Sequence, residues 1–205
     1  MPKGSPERTA ARKEEIISGC EKLYQTMSFK DITLKEIGSE TSFSRPTIYN
    51  YFQTKEEIFL ALYEREYDRW NGELADILQN NDTLTKEQVA EKIAASIANR
   101  QQLLKLLSMN NYDMEANSRP DLLTSFKVAY GESMKNVCRI LTKFCPEKTV
   151  QEIQDFIYVF FPFMFGIYPY TAVTDKQREA MKKANVDYVY QSIFEITNNC
   201  LLKLL

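Results

Sequence analysis

A Ser or Thr followed three residues later by Glu or Gln recurs along this chain: Thr33–Glu36, Thr54–Glu57, Thr85–Gln88, Thr149–Glu152 and Thr174–Gln177. In such a box the hydroxyl accepts from an amide in the first helical turn. The acidic or amide side chain reaches back to the capping residue's own amide. Donors that a helix start leaves orphaned are thereby satisfied. Each box opens a segment with apolar residues at helical spacing, and only 6 glycines occur in 205 residues. Alternating strand-like runs are hard to find, so the chain is expected to be all-α.

The apolar periodicities agree. Ile16, Cys20, Leu23, Tyr24 and Met27 form one face of a first helix. Leu122, Phe126, Tyr130, Met134, Val137, Leu141 and Phe144 mark a long helix, with Pro120 in its first turn and Pro146 past its end. Val186, Val189, Tyr190, Ile193, Phe194, Thr197, Cys200, Leu201 and Leu204 predict a last helix over about 184–204. The length permits one or two domains, and 44% hydrophobic with 26% charged residues is ordinary globular usage.

Histidine is absent, which removes Ser-His and Cys-His nucleophiles and His-ligated metal sites. Cys20, Cys138, Cys145 and Cys200 match neither zinc-ligand nor CxxC spacing, and each falls at an apolar helical position. They are expected to be small buried thiols in a reducing compartment. No HExxH, ExxH or glycine-rich phosphate loop occurs. No enzyme, cofactor or metal is therefore expected. The opening MPKGSPERTAARKEE lacks the apolar run of a secretion signal, so a cytoplasmic location is expected.

Residues 33–57 carry the strongest functional signal. Thr33–Thr41 reads as a short capped helix, Ser42-Phe43-Ser44 as a tight turn, and Arg45–Phe52 as a second short helix capped by Ser44. Pro46 sits in the first turn, where its missing N–H costs nothing. Two short helices joined this way form a helix-turn-helix, whose second helix can enter a DNA major groove. Arg45 can donate bidentately to guanine, Thr47 can touch a thymine methyl, and Asn50 can both donate and accept. Thr33, Ser44, Tyr49, Tyr51 and Lys55 suit phosphates. Ile37, Phe43, Ile48, Phe52 and Ile58 would close the core beneath.

The run IGSETSFSRPTIYNYFQTKEEIFLAL resembles the DNA-binding signature of the TetR family of bacterial regulators, over about residues 8–65. The resemblance implies a three-helix DNA-binding head with a helix-turn-helix over residues 1–54. A helical ligand-binding and dimerisation domain would follow over 55–205, with a helix from about 55 to 79 linking the two. By position, Thr33, Arg45, Pro46, Thr47, Tyr49, Asn50, Tyr51 and Lys55 take the DNA-facing roles. Two departures stand out: Ser42 occupies a turn position where the family often has Gly, and Pro46 replaces a more usual small residue. The resemblance also implies a ligand-responsive transcriptional regulator, usually a repressor in this family, that binds a palindromic double-stranded DNA operator as a homodimer and is released by a small effector.

The other concentrated feature is aromatic. Phe156, Tyr158, Phe160, Phe161, Phe163, Phe165, Tyr168 and Tyr170 lie in an uncharged run of 18 residues, FIYVFFPFMFGIYPYTAV. Pro162, Gly166 and Pro169 argue against a membrane span, and no membrane partner is expected. A helix apolar all round is expected to be buried all round, here as pocket wall, dimer seam or both. Candidate pocket-lining residues are Trp70, Leu103, Leu107, Tyr112, Phe126, Tyr130, Met134, Phe161 and Phe165, which would suit an apolar or aromatic effector. Residues 1–55 carry nine Lys/Arg against seven Asp/Glu and the remainder 17 against 21, a polarity of the right sign for a DNA-binding head.

Overall fold

The computed structural model describes residues 5–109 and 111–205. Among the described residues there are helices and no strand. In chain order they are α1 Pro6–Thr26, α2 Leu34–Ser39, α3 Arg45–Ile48, α4 Lys55–Gln79, α5 Lys86–Ala98, α6 Gln101–Leu107, α7 Asn111–Ala116, α8 Pro120–Phe144, α9 Val150–Thr171, α10 Asp175–Lys183 and α11 Ile193–Leu204. The all-α expectation holds. The capping boxes at Thr85, Thr149 and Thr174 close in full, each hydroxyl accepting from the third amide while Gln88, Glu152 or Gln177 reaches back.

Packing divides the chain into two compact units, one bounded by Met1–Arg65 and Asn110–Ala129, the other by Glu66–Met109 and Tyr130–Leu205. The divisions fall inside α4 and α8, which run through them unbroken. A segment far along the sequence thus packs with the N-terminal helices.

In the first unit, Ile16, Cys20 and Tyr24 of α1 are buried with Ile37 of α2, Ile48 of α3, and Ile58, Phe59 and Leu62 of α4. Gly19 sets how closely α1 approaches α2: a Cβ there would stand 3.3 Å from both Glu40 Cβ and Thr41 Cγ2. Arg65 ties α4 to α1 by donating to Glu14 and, at 2.7 Å, to Glu21. Tyr63 and Phe126 pack with ring centroids 4.8 Å apart.

In the second unit α11 packs on α5 and α9, and α6 packs on α9. Two expectations are corrected here. The last helix begins at Ile193, not near 184. After α10, Asn185 turns into the left-handed region (φ 52°), Val186 N–H bonds back to Met181 O at 3.0 Å, and the chain runs irregularly to Ser192. There a further box, Ser192–Glu195, starts the helix afresh. Val186, Val189 and Tyr190 are accordingly exposed rather than part of a helical stripe.

The second correction concerns α9, which is not buried all round. Ile153, Phe156, Ile157, Phe160, Phe161, Met164 and Ile167 face the core, while Tyr158 is 73% and Phe165 39% exposed. Both Pro162 and Pro169 lie within the helix. Among the described residues no single helix is long and apolar enough to cross a membrane; α9 and α10 meet both conditions only together, as a pair bent by 85°. All four cysteines are free, with Cys20 and Cys145 buried and Cys138 and Cys200 only half-buried.

Candidate functional site

The helix-turn-helix is assembled from very short pieces. Thr33 caps α2 by accepting from Lys35 N–H at 3.2 Å, and its hydroxyl also bonds the Glu36 carboxylate. That bond holds the Glu36 carboxyl below its ordinary value. After α2, Thr41 Oγ1 donates to Gly38 O at 3.1 Å. Ser42 N–H donates to Glu15 of α1 at 2.6 Å. Ser42 has no positive φ, so the turn has no need of the glycine that often stands there. The hydrogen bond donated by the Ser42 backbone N–H is the main reason the Glu15 carboxyl lies below its ordinary value.

The second helix is shorter than its sequence suggests. Only Arg45–Ile48 is regular α-helix; Tyr51 N–H and Phe52 N–H then bond to Ile48 O at 2.9 and 3.0 Å, carrying one more turn to Phe52. Ile48 and Phe52 point into the core. Ser44, Arg45, Pro46, Tyr49 and Asn50 are exposed together on the opposite side, with Thr47 half-exposed beside them. Ser44 stands at the N-cap without accepting a capping bond, its hydroxyl paired instead with Thr47 Oγ1 at 3.1 Å.

Two arginines on this surface rest on phenols. Arg45 donates to Tyr49 Oη at 3.1 Å, and Arg12 to Tyr51 Oη at 3.1 Å. A neutral acceptor orients a guanidinium without cancelling its charge. Lys55 is placed differently. Its Nζ donates to Phe29 O at 2.8 Å and Ile32 O at 3.1 Å and sits 4.2 Å from the Phe29 ring centroid. Two of its three donors therefore tie α4 to the α1–α2 connection. Thr33 likewise spends its oxygen on capping.

One cluster escaped the sequence reading. Glu57 is 1% exposed. One of its carboxylate oxygens accepts from Arg119 Nε at 2.7 Å and Arg119 N–H at 3.2 Å; the other accepts from Gln53 N–H at 2.7 Å and Arg119 Nη2 at 3.0 Å. Burial pushes this carboxyl upward more than any other influence, yet the bonds from Arg119 and Gln53 together bring it below its ordinary value. The Thr54–Glu57 box had marked Glu57 as a capping residue; nothing in sequence pointed to Arg119, 62 positions away.

In the second unit, Tyr67, Trp70, Tyr130 and Phe161 form an aromatic cluster. Tyr67–Tyr130, Tyr130–Phe161 and Trp70–Phe161 centroids lie 5.5, 5.7 and 5.9 Å apart. The buried indole of Trp70 donates to Ser96 Oγ at 3.0 Å, and Ser96 in turn to Ile93 O at 2.8 Å. Leu103 and Leu107 are buried in α6. Met134 instead lines a groove of about 380 Å³ with Cys138, Ile157 and Tyr158. A second groove, about 390 Å³, lies among Pro169, Tyr170, Val173, Met181, Tyr188 and Tyr190. Phe165 lies on the outer face of α9, and Phe126 and Tyr112 belong to the first unit. Tyr112 is 85% exposed, a surface position on α7 rather than the interior one expected of a pocket wall.

A helix-turn-helix with its apolar side buried and its polar side exposed is the architecture of a DNA-binding head. The profile of bacterial regulatory proteins of the tetR family matches residues 16–62, and that of the tetracyclin repressor-like C-terminal domain matches residues 64–191. The chain belongs to the TetR family. The HTH-type transcriptional repressor Rv1474c of Mycobacterium tuberculosis (strain ATCC 25618 / H37Rv) is 28% identical over 69 residues, 34% of this chain and 37% of that protein. The chain spans about a third of the length of the curated relatives it matches. Among solved structures, a putative TetR-family regulator from Mesorhizobium loti MAFF303099 superposes with a TM-score of 0.64 at 14% identity, covering 96% of this chain and 98% of that one. The transcriptional regulator FadR from Bacillus subtilis, in complex with stearoyl-CoA, gives 0.59 at 15% identity, covering 93% and 96%. These likenesses share the fold.

Proposed function

We propose that this protein is a ligand-responsive transcriptional repressor that binds a palindromic operator as a homodimer and leaves it when a largely apolar effector binds. The observation that carries the reading is the α3 surface: Ser44, Arg45, Pro46, Tyr49 and Asn50 exposed side by side above buried Ile48 and Phe52. Arg45, Thr47 and Asn50 read base edges; Ser44, Tyr49, Tyr51 and Arg12 meet phosphates. One head reads few bases, so two copies on successive major grooves about 34–36 Å apart supply specificity. The apolar outer face of α9, with Tyr158 and Phe165, is the surface two copies share.

The effector is assigned to the second unit, where Tyr67, Trp70, Tyr130 and Phe161 pack as a flat apolar cluster that a ligand would have to part. The stearoyl-CoA held by the Bacillus subtilis FadR supports a long apolar ligand on this fold. An effector shifts the equilibrium by as much as its affinity differs between the bound and free conformations. The test is selection of duplexes from a randomised library by the full chain, followed by titration with stearoyl-CoA as first probe. Enrichment of a palindrome, and binding that weakens steeply with salt, are expected. No enriched sequence, or binding indifferent to salt, overturns the reading.

A further inference from the structure

We infer that Arg119 is a positioning residue for DNA recognition: its bracket on Glu57 and the Tyr51 carbonyl sets the angle at which α3 is presented. The inference rests on the reading of α3 as the base-contacting helix.

The recognition helix is too short to hold its own orientation. Four helical residues and one further turn supply few internal bonds, and isolated helices of that length are unstable in water. A helix end also leaves carbonyls without partners. Here one carbonyl just past α3, Tyr51 O, is taken by Arg119 Nη2 at 3.0 Å. Two residues on, Gln53 N–H donates to Glu57, whose carboxylate the same guanidinium grips through Nε and Nη2. A further tie lies beside it: Thr54 Oγ1 accepts from Glu57 N–H at 3.1 Å and donates to Asn117 O at 3.0 Å. Residues 117–119, between α7 and α8, thus hold both sides of Phe52, the residue where α3 passes into α4.

The chemistry makes this bracket directional. A guanidinium is a planar fork with fixed donor angles, so two oxygens of Glu57 and one backbone oxygen can be satisfied only in one relative pose. The Glu57 carboxylate is almost wholly buried, so a partner lost there is not replaced by bulk water. Arg119 itself is half-exposed but spends its donors inward, and it is not needed on the α3 surface to act on it. A lysine keeps the charge and loses the fork.

The experiment uses the full chain and two probes: a duplex enriched by the unaltered protein from a randomised library, and a mixed-sequence duplex of equal length. Arg119→Lys is expected to weaken binding to the enriched duplex about tenfold while leaving the mixed-sequence duplex within about twofold. Glu57→Gln, which keeps the shape and an acceptor, is expected to act in the same direction. Arg65→Lys serves as comparator, since it loosens an ion pair between α4 and α1 that does not touch α3. It should lower the melting temperature without changing the ratio of the two affinities. Equal loss on both duplexes, no loss on either, or the same change of ratio in Arg65→Lys overturns the inference. A failure of the DNA reading itself shows earlier, when the unaltered protein enriches nothing. Melting curves confirm that each variant is folded, and Glu57→Gln carries the test if Arg119→Lys is not.

Discussion

Lys55→Met separates a structural role for this lysine from a DNA-contacting one. The substitution keeps the apolar stem and removes the ammonium, which donates to Phe29 O and Ile32 O and lies over the Phe29 ring. Hydrogen bonds from a charged group contribute about 1.5–3 kcal/mol each when shielded. These are half-exposed, so water recovers much of that, and about 1 kcal/mol per bond is the fair figure. The cation–ring contact adds roughly 0.5–1 kcal/mol. The loss is then about 2–3 kcal/mol. For a chain of this size each kcal/mol moves the melting temperature by about 2–4 °C, so a fall of about 5–10 °C is expected by circular dichroism. A lysine whose main work is on a phosphate leaves another signature: an unchanged melting temperature, and a salt slope of DNA binding reduced by about 0.9. That second pair of results would refute the assignment of Lys55 to the α1–α2 connection.

Three further outcomes follow from the geometry. Ser96→Ala orphans the buried Trp70 N–H and should cost about 1–3 kcal/mol, read by denaturant unfolding with the fluorescence of the one tryptophan; a loss within error contradicts it. Because the folded Glu57 carboxyl lies below its ordinary value of 4.5, its stabilisation is complete above that pH and is lost as pH falls through the folded value. Glu57→Gln should therefore flatten the acid side of the melting-temperature profile, and a profile of unchanged steepness would count against the pairing. If two copies pair through the outer face of α9 as proposed, Tyr158→Glu with Phe165→Glu should weaken that dimer by roughly a hundredfold in sedimentation, since two charges would enter an apolar seam, while helix content stays the same. A dimer of undiminished affinity moves the interface elsewhere.

Local chemistry was legible where it acts within a turn or two. Thr85, Thr149 and Thr174 each opened the helix their spacing announced, because a capping box is closed by atoms three residues apart. The division of α3 and the turn after it into buried Ile48 and Phe52 and exposed Arg45, Tyr49 and Asn50 followed from the narrowness of so short a helical segment. Misreadings came where periodicity continued across a break: Val186, Val189 and Tyr190 kept helical spacing, but Asn185 had already turned the chain and Ser192 had not yet restarted it. Uniform apolarity hid the two-sidedness of α9, since Phe161 in the core and Phe165 on the surface are the same residue type. Distant partners left no trace at all. Arg119 looks like any arginine before a proline, and only folding sets it on Glu57.

The phenol beneath Arg45 has a bearing on how quickly this surface works. An arginine gripped by a carboxylate must surrender that grip before it can test a base, and each trial along a duplex then carries the delay of an ion pair breaking. An unheld arginine is free at once but pays up to about 2 kcal/mol in lost rotamer freedom when it engages. Arg45 avoids both extremes: it leans on the Tyr49 hydroxyl at 3.1 Å, a neutral acceptor that narrows its rotamers with no ion pair to break. On the proposed reading of Arg45 as a base-contacting residue, such a side chain is ready on arrival and quick to let go of a wrong sequence, which suits a searcher that meets far more wrong sequence than right.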